Sequence, residues 1–258
     1  MTKPHNQSLG ILTIATNIYI EYWEEMVLSL EEHLLDGQKC VAHIFTEQTE
    51  RASNFAQKLS KVSVEIHKIP PYKWPDATIR RYEVFAKHAD LIKQDVLMHL
   101  DADMLILENV FENIIHFAME SDVVLIAHPG FWNRKFSLLS RVKALVFQSK
   151  PLNGSWETHP ESQAFVNPKH RKPYVCGGIW FGKRAAILAL INQAAEAVEI
   201  DRDNSVMAVW HDESHLNHWA SKNHFLILSP EYCYVREYDH LKDLKPKVLA
   251  VTKEIQTR

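Results

Sequence analysis

The stretch Val96-Leu97-Met98-His99-Leu100-Asp101-Ala102-Asp103-Met104-Leu105-Ile106-Leu107 sets two carboxylates one residue apart in otherwise apolar surroundings. Read as a strand, it points residues i and i+2 to the same side, so Asp101 and Asp103 present two oxygen ligands together. Two uncompensated buried negative charges are costly. A hard divalent cation such as Mg2+ or Mn2+ offsets that cost and draws in a phosphate-bearing ligand. The same residues also read as a strand that stops at Asp101, with both carboxylates solvated in a turn.

Trp210-His211-Asp212-Glu213-Ser214-His215-Leu216-Asn217 is the second concentration of chemistry. On a helix, His211 and His215 share a face at i, i+4, the histidine spacing of zinc metallohydrolases. The glutamate of those enzymes directly follows the first histidine, whereas Glu213 comes two residues after His211. The competing reading is a helix start with Asp212 as N-cap and His215 as a polar core contact. Between Arg134 and Lys150, five basic residues and no acidic one are interleaved with Leu138, Leu139, Val142, Leu145 and Val146. That pattern describes a basic amphipathic helix, able to touch an anionic membrane surface weakly through residues 134–150 or to pack on the domain.

The elements that must position these groups alternate. Leu9–Thr16 reads as a buried strand, Tyr19–Leu35 as an amphipathic helix that Gly37 can end, and Cys40–Phe45 as the next strand. A helix over Arg51–Leu59, a strand over Val62–Ile69, a proline-marked loop and a helix over Ala77–Ile92 follow, before the strand at Val96. This order predicts an α/β fold with a parallel sheet and right-handed crossovers, whose ligands gather beyond the carboxyl ends of the strands. Farther on, Val123–Ile126, Cys176–Gly182 and Phe225–Leu228 read as strands, and Lys183–Glu199 as a helix. The glycines of Cys176-Gly177-Gly178 let a strand backbone approach something closely. Residues from Leu241 onward read as a basic, mobile tail.

Composition narrows the classes. With 258 residues, 46% hydrophobic and 24% charged, the chain fits one globular domain with a sizeable core. A net charge of -3 offers nothing to nucleic acid. Three scattered cysteines form neither a disulfide framework nor a zinc knuckle. No apolar run has membrane-spanning length, and the polar start lacks a signal peptide's apolar region. A cytoplasmic protein is expected.

Taken together, Asp101-Ala102-Asp103 and Trp210–Asn217 resemble the retaining glycosyltransferases of family 6, the group of the histo-blood-group A and B transferases and α-1,3-galactosyltransferase. The resemblance runs on through Arg80-Arg81-Tyr82-Glu83, His128-Pro129-Gly130-Phe131, Pro160–Phe165, Gly177-Gly178 and Leu228–Tyr232, in order along essentially the whole chain. It implies a GT-A fold, with a Rossmann-like, mostly parallel sheet flanked by helices. It also implies transfer of N-acetylgalactosamine or galactose from UDP-N-acetylgalactosamine or UDP-galactose, with retention and in α-1,3 linkage, to a galactose-terminated glycan. By the same resemblance, Asp101 and Asp103 hold Mn2+ (or Mg2+) and Ile14, Ala15 and Tyr19 cradle the uridine. Arg81, Asp101, Asp212, Cys176, Gly177 and Gly178 face the donor sugar; His128, Ser155, Trp210 and Glu213 face the acceptor. Glu213 is the implied catalytic carboxylate, as nucleophile or as stabiliser of an oxocarbenium-like ion. Small residues at 176 and 178 lean toward N-acetylgalactosamine. The implied organisation is a single domain, residues 1–258, with a nucleotide-binding part near 9–107, an acceptor-binding part near 108–240 and a basic tail at 241–258 able to close over the diphosphate. The chain departs from the family in carrying Val235 where relatives place an acceptor-side aspartate, and in a longer stretch between Phe131 and Ser155. It looks like a bacterial or phage member without a membrane anchor, a group in which many relatives carry asparagines in place of the aspartates retained here.

Overall fold

The structure is a computed structural model that describes residues 7–133 and 153–251. The basic stretch 134–150, Lys253 and Arg258 lie outside the described residues, and with them the expected membrane contact. Strands β1 (Ser8–Ile14), β2 (Lys39–Thr46), β3 (Val62–Lys68) and β4 (Val96–Leu100) are joined by α1 (Tyr19–His33), α2 (Thr49–Ala56) and the short helices α3 (Asp76–Ile79) and α4 (Arg81–Lys87). Next come β5 (Met104–Ile106), α5 (Phe111–Glu120), β6 (Val123–Ala127), β7 (Val175–Lys183), α6 (Arg184–Asp203), α7 (His211–Lys222), β8 (Leu226–Leu228) and β9 (Val248–Ala250). The main sheet has the order β3-β2-β1-β4-β7-β6-β8. Its strands are parallel except β7, which runs antiparallel to both β4 and β6.

Alternation along the central strands explains the layering. Leu9 and Ile11 join one core with Ile20, Trp23, Val27 and Leu30 of α1. Leu12, Phe45 and Leu97 point to the other face, where Tyr82 and Phe85 of α4 and Ile187 and Ile191 of α6 cover them. Each such aliphatic burial is worth about 1.5–3 kcal/mol, so the sheet centre is the rigid base of whatever its rim carries.

Three expectations are revised. The helix expected over Ala77–Ile92 is two short helices broken at Arg80, whose ψ of 1° leaves the helical region. The stretch from Val96 to Leu107 is not one strand: β4 ends at Leu100, Ala102 and Asp103 turn, and β5 pairs with β9 in a separate ribbon. The aspartates therefore sit on a turn at the carboxyl end of β4, and strand alternation is not what brings them together. Residues 241–251 are built into the fold, because β9 completes that ribbon and Val251 N–H donates to the Asp103 carbonyl at 2.9 Å.

Candidate active site

The site is assembled where β4, β7 and the start of α7 meet. Between its pairs with Leu125 and Ala127 of β6, strand β7 advances from Trp180 to Val175, five residue steps against two. The surplus is a bulge at Cys176–Ile179, the kind of irregularity that re-aims groups beside functional sites. Three of its backbone groups are engaged at the site. Gly177 N–H donates to Glu213 Oε2 at 2.8 Å, Gly177 C=O accepts from Arg81 Nη1 at 3.0 Å, and Gly178 C=O accepts from Asp101 N–H at 2.9 Å.

A side chain at either position would crowd the carboxylates beside it. A Cβ on Gly177 would lie 3.1 Å from Glu213 Cβ and 3.3 Å from Asp212 Oδ2. On Gly178 it would lie 2.9 Å from Asp101 Oδ2, inside van der Waals contact.

Arg81, the first residue of α4, reaches between the two halves. Its buried guanidinium donates to Asp101 Oδ1 at 2.7 Å and pairs with Asp212 Oδ2 at 2.8 Å. Burial alone would lower the Arg81 pKa; Asp101 and Asp212 more than reverse this, and it ends above its ordinary value. His99, buried beneath, sets Nδ1 2.9 Å from the Leu12 carbonyl and Nε2 3.2 Å from Asp101 Oδ1.

Glu213 is bound by neutral donors. Besides Gly177 N–H, the Tyr174 hydroxyl donates to Oε1 at 2.9 Å, and His128 Nε2 stands 4.0 Å from Oε2. Because Gly130 N–H donates to His128 Nδ1 at 3.0 Å, that nitrogen is the acceptor and Nε2 carries the proton. Burial pushes Glu213 up to about 7, against the hydrogen bonds from Gly177 and Tyr174. Burial likewise pushes Asp212 up to about 7, opposed by Arg81 and assisted by Asp101 and Glu213. Burial drives His128 down to about 4, so it is neutral at pH 7.

A cleft of about 390 Å³ opens beside this network, lined by Ile14, Thr16, Asn17, Tyr19, Tyr72, Trp74, Arg81, Asp101 and Asp103 among others. Two carboxylates at its rim are the hard oxygen donors that Mg2+ and Mn2+ prefer, and the cleft leaves room for further ligands. The residues fit such an ion.

The expected residues are thus largely brought together. Ile14, Tyr19, Arg81, Asp101 and Asp103 share the cleft; Asp212, Glu213, Gly177, Gly178 and His128 adjoin it. Trp210 is half exposed just ahead of α7, and the Ser155 carbonyl accepts from Tyr174 Oη at 3.3 Å. Two residues stand elsewhere. Ala15 is fully buried, its N–H donating to the Phe45 carbonyl, and Cys176 is buried in the core with its thiol against Cys233.

The zinc alternative finds no support in this geometry. His215 turns its Nε2 toward Asp201 Oδ2 at 3.5 Å, while the His211 ring packs edge-on against Trp74. Among the described residues these two histidines belong to no group of three metal-capable side chains. Asp212 is not the N-cap either, because α7 begins at His211 behind Trp210.

Comparison with known sequences decides the lineage: the profile of glycosyltransferase family 6 matches residues 1–257. The chain belongs to glycosyltransferase family 6. The sheet described above, flanked by helices, is the GT-A fold of that family. This family 6 chain is similar to histo-blood group ABO system transferase 1 of Rattus norvegicus, 25% identical over 240 residues, covering 90% of the chain and 62% of the relative. It is similar to globoside alpha-1,3-N-acetylgalactosaminyltransferase 1 of Homo sapiens, 26% identical over 242 residues, 90% and 62%. The O-antigen biosynthesis glycosyltransferase WbnI of Escherichia coli is 25% identical over 238 residues, 92% of each chain. The chain thus spans somewhat under two thirds of the vertebrate relatives. Among the described residues, no helix is long and apolar enough to cross a membrane.

Sequence reasoning missed several members of this family 6 site. Tyr174 lies 39 residues from Glu213 in the chain, and only its place at the mouth of the Cys-Gly-Gly strand marks it. Asn217, the end of the tryptophan-led string, locks α7 to β7: Oδ1 accepts from Val175 N–H at 2.9 Å and Nδ2 donates to the Val175 carbonyl at 2.8 Å. The Pro160–Phe165 motif proves to be a clamp, Ser162 Oγ and Gln163 N–H both donating to buried Asp201 at 2.6 Å.

Proposed function

We propose that the protein is a retaining glycosyltransferase that moves N-acetylgalactosamine or galactose from a UDP-sugar, in α-1,3 linkage, to a galactose-terminated glycan. The observation that carries this reading is the Arg81 bridge, which ties Asp101 at the nucleotide cleft to Asp212, the neighbour of Glu213. One cation thereby fixes the diphosphate end and the sugar end of a donor relative to each other. Ile14 and Tyr19 take the uridine at the far end of the cleft. Asp101 and Asp103 would hold Mn2+ or Mg2+, which would supply Lewis-acid neutralisation of charge on the departing diphosphate.

Arg81 and Asp212 orient the donor sugar by directional, charge-assisted hydrogen bonds. Tyr174 and Gly177 each occupy one oxygen of Glu213, fixing the carboxylate plane, which is aimed at the anomeric carbon. As nucleophile or as electrostatic partner of an oxocarbenium-like ion, Glu213 acts only when ionised. His128, Ser155 and Trp210 line the acceptor side, with the half-exposed Trp210 offering an aromatic face to sugar C–H groups. Small residues at 176 and 178 support N-acetylgalactosamine as donor, although buried Cys176 contributes through the core and not by contact.

The test is transfer itself. A panel of β-galactosides, with and without fucose, incubated with Mn2+ and either UDP-sugar, is expected to gain one α-1,3-linked residue, favouring N-acetylgalactosamine, by mass spectrometry and NMR. Hydrolysis or transfer with inversion, or no transfer to any galactoside, contradicts the reading.

A further inference from the structure

Away from that cleft, on the β2–β3 edge of the sheet, His43, Glu65 and His67 bring three metal-capable side chains together, their ligand atoms all within 4.8 Å of one another. The geometry points to a binding site for a zinc-class divalent transition metal formed by His43 Nδ1, His67 Nε2 and the Glu65 carboxylate, separate from the Asp101–Asp103 pair.

The argument begins with Gln94. Its Oε1 accepts from the Lys93 backbone N–H at 3.2 Å, so that atom is the oxygen and not the amide nitrogen. His43 Nε2, 2.7 Å from the same oxygen, must then carry its proton. His43 Nδ1 is therefore the lone-pair nitrogen, and it faces inward. This is the arrangement of a metal-ligating histidine whose second ring nitrogen donates to a carbonyl and so fixes tautomer and ring.

His43 Nδ1 lies 3.0 Å from His67 Nε2 and 3.5 Å from Glu65 Oε2. In a tetrahedral zinc site with bonds near 2.0–2.1 Å, neighbouring ligand atoms stand about 3.3 Å apart, so these two separations require shifts of only a few tenths of an ångström, and the third pair, His67 and Glu65, within 4.8 Å, closes by rotation of the half-exposed Glu65 side chain. His67 is further held by stacking on Phe45, ring centroids 4.6 Å apart, and by the edge of His88 at 5.2 Å. Burial lowers the pKa of both imidazoles, keeping them neutral and able to ligate at pH 7. Two neutral nitrogens and one carboxylate suit zinc better than Mg2+ or Ca2+. Half-exposed Glu65 opens the site to solvent and leaves a fourth position for water. On loading, the proton on His67 Nε2 moves to Nδ1 by exchange with water, so no net proton is lost from the ring. The ion would staple edge strand β3 to β2.

The test titrates Zn2+ calorimetrically into metal-stripped full-length protein carrying Asp101→Asn and Asp103→Asn, which removes competition from those carboxylates. One equivalent should bind. Glu65→Ala and His67→Gln should each weaken binding at least about tenfold, and Gln94→Ala about 10–100-fold through loss of ring orientation. Co2+ in place of Zn2+ should give the visible absorption of a tetrahedral site, lost in the same variants, whose unfolding midpoints without metal establish that they fold. Absence of stoichiometric binding, or zinc binding unchanged by Glu65→Ala and His67→Gln in folded protein, overturns the assignment.

Discussion

With Arg81 paired to both Asp101 and Asp212, one cation serves two carboxylates and leaves Glu213 to the neutral donors Tyr174 and Gly177. That division has a consequence for pH. Glu213 and Asp212 both have pKa values raised by burial to about 7 in the metal-free protein, so the native state favours their neutral forms. A raised carboxyl contributes stability that is present below the ordinary carboxylate pKa and lost as pH rises through the raised one. The unfolding midpoint of the metal-free protein should therefore fall between about pH 5 and pH 8, and Glu213→Gln should flatten that fall. On the proposed role of Glu213 as an anion, catalysis should run the opposite way: kcat/KM should rise with pH through about 7, the pair titrating as a unit. Glu213→Gln should cost at least about a thousandfold in turnover while UDP affinity stays within a few-fold. Turnover near normal in that variant removes Glu213 from its role.

Among the elements, the bulge in β7 does the positioning. It presents Gly177 to α7 and Gly178 to Asp101, and either side chain position would be filled by a Cβ. Gly178→Ala should push Asp101 off its Arg81 contact and weaken Mn2+-dependent UDP binding about tenfold, with a near-normal unfolding midpoint. If calorimetry finds that affinity intact and only the donor ratio changed, Gly178 gauges the sugar and not the metal ligand. The glycines announced close approach in the sequence, but not what approaches, because the partners lie about 35 and 77 residues away in the chain. The break at Arg80 was invisible for a related reason. Ile79, Tyr82 and Phe85 keep helical spacing across it, and only the pull of Arg81 into the site sets the two helices apart. Likewise β4 and β5 read as one apolar run, since the turn between them is made by only Asp101-Ala102-Asp103.

For the molecule as a whole, the first half was legible because β1, β2 and β4 are buried along nearly their whole length and the crossovers between its strands are helical. Placing the cleft beyond the end of β4 followed from that order, and the family resemblance named Ile14, Tyr19, Arg81, Asp101 and Asp103 of its lining but not Tyr72 or Trp74. Tyr174, Asn217 and the Asp201 clamp were not legible, for they act across contacts that only the packed chain creates. The same packing brings β9 against β5, so that Val251 steadies the carbonyl of Asp103.

The central claim is that Asp101 and Asp103 hold a divalent ion against the diphosphate of UDP, beside Glu213. Calorimetric titration of UDP with and without Mn2+, in the native protein and in Asp101→Asn/Asp103→Asn, tests it most directly. The account predicts tight binding in the native protein only with Mn2+, and its loss in the double variant. Equal affinity without metal, or unchanged metal-dependent binding in the double variant, contradicts it.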